Sequence, residues 1–212
     1  FDGAGDSLFL DDYAEVRFGT NDFTIEGWFY ADSYNSITYP TIISKYDNGD
    51  ASWIARIKSD GKFVWYAGQV GGGTNNTTSS AVLALNRWFH FAVCREGTGT
   101  NETKVYFDGT LVMSCTDSSN YDDTNDIYIG RQDSSNTNYF DGYISNIRIV
   151  NGAAVYTSDF VRPQKPLEVV SNTRLLCCQS PQYVGAAVTA PTMGGINDGT
   201  YWGGQGSSYT GA

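Results

Sequence analysis

The stretch "NRWFHFAVCR" (residues 86–95) decides the fold, because the strand that it predicts carries apolar side chains on both faces. Side chains alternate along a strand, so Phe89, Phe91 and Val93 share one face and the other face holds Trp88, His90, Ala92 and Cys94. Such a strand is typical of a position covered on both sides. His90 is the only histidine of the chain, and this setting favours a packed residue, hydrogen-bonded to a neighbour, over a catalytic one.

Further strand signals recur along the chain about every ten residues, which is the spacing of a sandwich or barrel. The clearest segments are 22–30, 52–58, 62–68, 103–115, 125–131, 142–150 and 172–179. Ser59-Asp60-Gly61 and Asp108-Gly109 predict two hairpin turns. One short segment, "AAVYTSDF" (153–160), is the only helix that the pattern predicts. The fold class is therefore all-β.

Polar segments rich in Gly, Asn, Asp and Ser separate these strands. We predict loops at 31–40, 46–51, 68–80, 117–126 and 132–139. They are long for hairpin connections, and loops of this kind often carry function.

Charge and cysteine usage narrow the function classes. The formal net charge of -10 argues against general attraction to nucleic acid or to an anionic membrane surface. The spacing of the four cysteines, Cys94, Cys115, Cys177 and Cys178, fits no zinc pattern. Cys177 and Cys178 should point to opposite faces of a strand and not bond each other. Free, buried thiols favour assembly in a reducing cytoplasm.

The composition changes near the C-terminus. We predict one sandwich domain over residues 1–180, followed by an arm rich in Gly, Ser and Thr over residues 181–212. The arm has too few apolar residues for a core of its own. It is expected either to extend and order against the domain or a neighbouring subunit, or to be a flexible terminus. A start at Phe1 without an initiator Met suggests a processed product or a segment of something longer.

An ordered set of motifs resembles a known family. The motifs are "FDGAGDSLFL" (1–10), "FTIEGWFY" (23–30), "IISKYD" (42–47), "RWFHFAV" (87–93), "VYFDGTLV" (105–112), "IYIGR" (127–131) and "YFDGYISNIRIV" (139–150). Together they resemble the laminin G-like branch of the concanavalin A-like lectin and glucanase superfamily. The resemblance implies a jelly-roll sandwich of two antiparallel sheets. The segment 151–180 is similar to versions found in structural proteins of marine tailed phages.

Enzyme chemistry finds little support in the residues. Glucanases of this superfamily place acidic residues at alternate positions of one strand, where two carboxylates flank the scissile bond. No strand here has that pattern, and Glu26, between Thr24 and Trp28 on its face, is expected to be a solvated surface group. Cys94 lies about 13 Å from His90 along an extended strand, so the two form no catalytic pair. We therefore expect a protein that is not an enzyme.

Calcium is the one cofactor that the resemblance implies, as a structural ion between the first and last strands. The candidate ligands are Asp141 in "YFDGYI" and Asp2 or Asp6 in "FDGAGD". Ordinary turn aspartates are the alternative. Ser145 stands where many relatives carry an Asp, which weakens the match.

Glycan binding is the usual non-enzymatic activity of the family, and it depends on aromatic rings beside Asn or Asp side chains. The loops offer Tyr34, Tyr39, Tyr46, Asp47, Asn48, Asn120, Tyr121, Asn136, Asn138 and Tyr139 as candidates. The alternative is that these residue types are simply common in loops.

These expectations combine into one main hypothesis: a non-enzymatic module on a phage virion, assembled in the host cytoplasm, as a head decoration, head fibre or tail fibre. Its partners would be a cell-surface glycan and other virion proteins or copies of itself. A purely structural role without sugar binding is the first alternative. A polysaccharide hydrolase or lyase is the second.

Overall fold

The protein folds into two antiparallel sheets of six strands each, which confirms the predicted sandwich. This computed structural model describes residues 1–34, 39–47, 50–68, 74–135 and 137–179. The first sheet has the order β1 (Leu8–Leu10), β10 (Ile127–Ile129), β3 (Thr41–Asp47), β4 (Asp50–Ile57), β5 (Lys62–Gly68), β6 (Thr74–Val82). The second has the order β12 (Thr173–Cys177), β11 (Gly142–Asn151), β2 (Phe23–Ala31), β7 (Trp88–Arg95), β8 (Thr103–Phe107), β9 (Thr110–Cys115). A short 3-10 turn spans Ala14–Val16.

The core lies between the inner faces of the two sheets. Strand β7 contributes Phe89, Phe91 and Val93 to it, as the opening stretch predicts. Trp53 and Trp65 from the first sheet stack with ring centroids 6.0 Å apart. Both faces of β7 are buried from Phe89 onward, because a second layer covers the outer face of its sheet.

That second layer is formed by residues 152–170, called the strap below. Tyr156 and Phe160 stack with ring centroids 3.6 Å apart, and with Ala154 they pack on a buried cluster of Ala92, Cys94 and Tyr106. The helix predicted for 153–160 is wrong, since the backbone there is irregular. Its N–H groups bond to the sheet instead: Phe160 N donates to Gly109 O at 2.9 Å and Val155 N donates to Thr24 Oγ1 at 2.8 Å.

Both predicted hairpin turns are present. Asp108 and Gly109 join β8 to β9 with φ of 50° and 85°, the left-handed pair that a tight hairpin needs. Gly61, with φ of 77°, lies in the turn between β4 and β5. A Cβ at position 109 would lie 1.9 Å from the carbonyl oxygen of Phe160, so glycine is also required there for the strap to approach.

Two predicted loops are largely strand. Strand β3 ends at Asp47 and strand β4 begins at Asp50, so both strands run into the predicted 46–51 loop. Strand β6 spans Thr74–Val82, so residues 74–80 of the predicted 68–80 loop are strand. Among the strands that the structure describes, it lies at the sheet edge and pairs with β5. An edge strand needs no apolar outer face, and the threonines of β6 favour a β conformation. Polar composition alone therefore does not distinguish this strand from a loop.

The prediction that Cys177 and Cys178 point to opposite faces is also wrong. Strand β12 ends at Cys177, and Cys178 turns into the left-handed region with φ of 59°. Their sulfur atoms lie 3.6 Å apart, and all four cysteines are free.

The predicted arm, residues 181–212, lies outside the described residues, so the domain boundary at residue 180 stays a prediction. In the part of the chain that is described, no helix has the length and apolar character needed to cross a membrane.

Candidate functional site

Four side chains gather on the outer face of the first sheet, the face turned away from the core. We call Tyr39, Tyr46, Arg56 and Tyr66 the tyrosine–arginine cluster. The Arg56 guanidinium carbon lies 4.0 Å from the ring centroid of Tyr39 and 5.3 Å from that of Tyr66. Tyr46 meets Tyr66 edge-to-face at 5.7 Å. The three tyrosines are half-buried, so their rings are held in place yet partly open to solvent.

The sheet itself positions this cluster. Tyr66 follows Trp65, whose side chain enters the core, so alternation along β5 turns Tyr66 outward. Ala55 enters the core in the same way and turns Arg56 outward on β4. Burial lowers the pKa of Arg56 from its usual value, although the nearby tyrosines act in the opposite direction. A guanidinium remains charged at neutral pH in such a setting.

Polar groups of residues 131–135 and 137–139 border the cluster. Gln132 Oε1 accepts hydrogen bonds from Arg56 Nη1 at 3.2 Å and from Asn138 Nδ2 at 2.8 Å. Asp47 Oδ1 accepts one from Ser134 Oγ at 2.6 Å. Ser44 Oγ donates to the Gln132 carbonyl at 2.7 Å and so fastens the loop to β3. Amide and carboxylate groups therefore stand beside aromatic rings, as in sites that hold sugar hydroxyls.

The structure brings part of the predicted glycan set together. Tyr39, Tyr46, Asp47 and Asn138 all lie in or beside the cluster. Asn120 is exposed but stands apart, next to the bridge between Gly19 and Tyr121. Asn48 and Asn136 lie outside the described residues.

Three predicted tyrosines are wrong as ligand-stacking residues because their rings are buried. Tyr121 is 0% exposed, packs edge-to-face on Phe18 and Phe23, and donates its hydroxyl to Asp117 at 2.7 Å. Tyr34 is 5% and Tyr139 is 9% exposed. Burial raises the pKa of Tyr34 to about 12. Polar neighbours in sequence mark a loop, but they do not show whether that loop folds over the core.

Two members of the cluster, Arg56 and Tyr66, are absent from the predicted set. Both lie within strands, and the prediction considered only loops. The alternation of "SWIARIK" and "KFVWYAG" carried the signal, since it sets them opposite the core residues Ala55 and Trp65.

The calcium candidates lie near one another along the backbone. Asp2 and Asp141 form an isolated antiparallel bridge, so the terminal segments pair as expected. Asp2 Oδ1 accepts backbone N–H bonds from Ala4 and Gly5 at 2.9 Å and from Asp6 at 3.2 Å. These bonds lower the pKa of Asp2 to about 2. Within the described ranges, no group of three His, Cys, Asp or Glu residues is placed to hold a metal ion. Calcium binding stays a prediction.

Glu26 is not the solvated surface group that the sequence suggests. It is fully buried under the strap, where it accepts hydrogen bonds from Arg148 Nε at 2.9 Å and Tyr156 Oη at 3.0 Å. His90 Nε2 lies 3.1 Å from Glu26 Oε2 and is also fully buried. The prediction of a packed, hydrogen-bonded His90 is confirmed. Neither side chain is exposed to solvent.

Known proteins share this architecture. A candidate carbohydrate-binding protein from Bacteroides ovatus matches at TM-score 0.59 and 20% identity, over 86% of this chain and 54% of its own. The binding domain of botulinum neurotoxin serotype G matches at 0.56 and 18%, over 72% and 39%. Domains LG4-5 of the mouse laminin alpha1 chain match at 0.53 and 18%, over 77% and 45%. At these identities the likeness shows the fold, and the chain spans about half of these proteins or less.

A search of curated protein sequences finds no match to this chain. The laminin G-type family model, by contrast, matches residues 2–155, which is more than half of the sequence. Its extent agrees with the two-sheet sandwich, and it includes every strand except β12. The chain therefore belongs to the concanavalin A-like lectin/glucanases superfamily.

Proposed function

We propose that this protein is a non-enzymatic carbohydrate-binding module and that the tyrosine–arginine cluster is its binding site. One observation carries the proposal: three half-buried tyrosines surround Arg56 on an outer sheet face, edged by amide and carboxylate groups. Sugars bind through the apolar face of the ring, which packs on aromatic side chains, and through hydroxyls that need hydrogen-bond partners. The cluster offers both.

The geometry assigns a part to each group. Tyr46 and Tyr66 would pack against a sugar ring, since they meet edge-to-face at the end of β3 and the middle of β5. Asp47 would accept hydrogen bonds from sugar hydroxyls. Gln132 and Asn138 are already hydrogen-bonded to each other, which limits their rotamers and lowers the entropy lost on binding.

Two observations support a binding role rather than catalysis. Glu26 and His90 lie under the strap, away from any substrate. Two of the structural relatives are the binding domain of a neurotoxin and a candidate carbohydrate-binding protein. We expect no release of reducing ends from marine polysaccharides, and such release would favour the hydrolase or lyase alternative.

We further propose that the module acts on a virion surface, as a head decoration, head fibre or tail fibre, next to other virion proteins or copies of itself. The resemblance of residues 151–180 to phage structural proteins supports this setting. Electron microscopy of particles labelled with an antibody against the protein tests it, and absence of label from purified particles would contradict it.

A glycan array followed by titration calorimetry tests the binding proposal. The double variant Tyr46→Ala/Tyr66→Ala should weaken binding by at least about tenfold, since each aromatic contact contributes on the order of 1 kcal/mol. Tyr46→Phe retains the ring and should bind nearly as well as the unaltered protein. Val161→Ala, at a residue 86% exposed on the strap, is the matched control.

Two outcomes count against the proposal in different ways. Full binding by the double variant, with an unchanged thermal midpoint, would refute the cluster as the site. Absence of binding to every glycan tested would favour the purely structural alternative.

A further inference from the structure

A groove crosses the outer face of the second sheet, on the side of the molecule opposite the tyrosine–arginine cluster. Its volume is about 620 Å³. Trp28 and Trp88, on β2 and β7, form its floor, and the strap segment Arg162–Pro166 forms one wall. We call it the strap groove.

The floor continues into a row of open aromatic rings. Tyr143, Tyr30 and Trp88 are direct neighbours across strands β11, β2 and β7. The ring centroid of Tyr30 lies 5.8 Å from those of both Tyr143 and Trp88. Trp88 is 41% and Tyr143 is 60% exposed. Adjacent large rings left open on a sheet face are typical of a binding surface.

Positive charge borders the same groove. Arg87, Arg162 and Lys165 line it, and none of its described lining residues is acidic. Asp108, just outside, pairs with Arg87 at 2.6 Å and with Arg162 at 3.1 Å. Lys165 forms no ion pair with any described residue. The local balance is three cations against one carboxylate, in a protein whose net charge is -10.

We propose that the strap groove is a second binding site, which takes an acidic polysaccharide: a chain of sugars bearing carboxylate or sulfate groups. The rings of Trp88 and Tyr143 pack against sugar faces. Arg162 and Lys165 pair with the acidic substituents, and a guanidinium suits the planar, two-oxygen geometry of a carboxylate or sulfate. Arg162 is held over Trp28, with its guanidinium carbon 5.6 Å from the ring centroid, so charge and ring act on one ligand.

An acidic peptide is the competing ligand, and the sheet disfavours it. Extended peptides commonly bind by adding a strand to a sheet edge, where backbone N–H and C=O groups are free. Strand β2, which carries Trp28 and Tyr30, is paired at both residues with β11 on one side and with β7 on the other. The middle of the groove floor therefore offers side chains and no free strand edge, which suits a ligand recognised by ring faces and charges.

Binding measurements on the full chain test the proposal with four probes: alginate as a polyuronate, carrageenan as a sulfated galactan, dextran as a neutral polymer, and poly-glutamate as an acidic peptide. We expect alginate or carrageenan to bind and to change the tryptophan fluorescence, because Trp28 and Trp88 line the groove. Poly-glutamate binding as tight as that of both acidic polysaccharides would overturn the assignment, as would binding of neither polysaccharide.

Variants locate the site. Arg162→Gln/Lys165→Gln and, separately, Trp88→Ala/Tyr143→Ala should each weaken acidic polysaccharide binding by at least about tenfold. Lys62→Gln, a solvent-exposed lysine in the first sheet, is the control for the loss of a single charge. Thermal denaturation confirms that each variant is folded. Retained binding in both double variants would refute the inference.

The result is separable from that for the tyrosine–arginine cluster. The Tyr46→Ala/Tyr66→Ala variant should lose the glycan that the cluster holds and keep acidic polysaccharide in the groove. If it instead loses the acidic polysaccharide while the groove variants keep it, the strap groove fails and the proposed function stands.

Discussion

At the scale of single residues, buried charge is the feature that sequence patterns hide most completely. Glu26 and Arg148 occupy outward positions of a sheet, where charged side chains are normally solvated. The strap closes over them, and each charged group then depends on its partner, because an unpaired charge in the interior is costly.

Glu26→Ala should destabilise the protein by about 3 to 5 kcal/mol, since it leaves the Arg148 guanidinium, 4% exposed, without its carboxylate. Urea denaturation followed by tryptophan fluorescence measures the loss. Glu96→Ala is the matched control: Glu96 pairs with Lys104 at the surface, and its removal should cost less than about 1 kcal/mol. A Glu26→Ala protein as stable as the control would contradict this account of the network.

A second buried network of ion pairs makes part of the protein's stability sensitive to acid. Lys45 is fully buried and pairs with Asp12 at 2.8 Å and Asp123 at 3.0 Å. Burial alone would raise the pKa of Asp12, but hydrogen bonds from Arg17 and Lys45 outweigh it and hold that pKa below the usual 3.8. A lowered carboxyl pKa in the folded state adds stability at neutral pH that disappears as pH falls.

Asp12→Asn should therefore lower the free energy of unfolding by about 1 to 3 kcal/mol at pH 7. The difference between the variant and the unaltered protein should shrink as pH falls from about 5 to about 3, because protonation removes the same carboxylate. Urea titrations at several pH values measure it. A difference that stays constant over that range would show that Asp12 contributes through packing rather than charge.

The polar residue types of a loop predict the candidate site only in part, because they do not show where in the fold each side chain lies. Tyr46 lies in the cluster and Asp47 borders it, yet Tyr121, predicted for the same reasons, lies in the core. Both tyrosines stand among polar residues in sequence. What separates them is whether the loop folds back over the sheet, which depends on contacts distant in the chain, such as Tyr121 with Phe18 and Phe23.

At the scale of elements, the strap replaces the solvent on the outer face of the second sheet. It has no regular structure, so its stability depends on side-chain packing by Tyr156 and Phe160 and on the close approach at Gly109. Segments held in this way open more readily than strands in the middle of a sheet.

Phe160→Ala should cost about 2 kcal/mol and expose the cluster beneath it, as expected for removal of a partly buried aromatic ring. The clearer readout is Cys94, which is 1% exposed and whose pKa burial raises to about 12. Its labelling by a thiol reagent under native conditions, followed by peptide mass spectrometry, should become much faster. Val161→Ala is the control, and equal labelling rates in the two variants would mean that Phe160 does not hold the strap down.

The sequence predicts the elements that local signals define and misses the others. The hairpin at Asp108-Gly109 follows from turn chemistry, and β2 and β7 follow from alternation. Strand β6 was missed because its pairing with β5, rather than its composition, makes it a strand. The helix expected at 153–160 fails for the same reason, since sheet contacts override a short local preference.

At the scale of the whole molecule, the two proposed sites lie on the outer faces of different sheets, with the core between them. They differ in charge as well as in place: three cations border the strap groove, whereas Asp47 borders the cluster with Arg56. One protein molecule then binds two glycan chains at once. Where both glycans belong to the same surface, this bivalent binding raises the overall affinity without any change to either site.

Salt should distinguish the two sites. The net charge of -10 repels acidic chains at long range, so their binding depends on the local cations of the groove. Raising salt from about 0.05 M to about 0.5 M should weaken acidic polysaccharide binding strongly and leave the cluster's glycan nearly unaffected, because salt screens exposed charges. Calorimetry at several salt concentrations measures both. Equal salt dependence at the two sites would contradict the assigned ligand classes.

The strap wall of the groove has a thermodynamic consequence. Arg162 and Lys165 belong to the same strap that covers Cys94. A ligand that binds both side chains therefore binds only molecules in which the strap is packed on the sheet. By linkage, such a ligand lowers the population of molecules with an open strap. The factor of this decrease grows with the ratio of the ligand concentration to the dissociation constant. Saturating acidic polysaccharide should then slow Cys94 labelling in the unaltered protein, and the thiol becomes an internal reporter of occupancy some distance from the ligand.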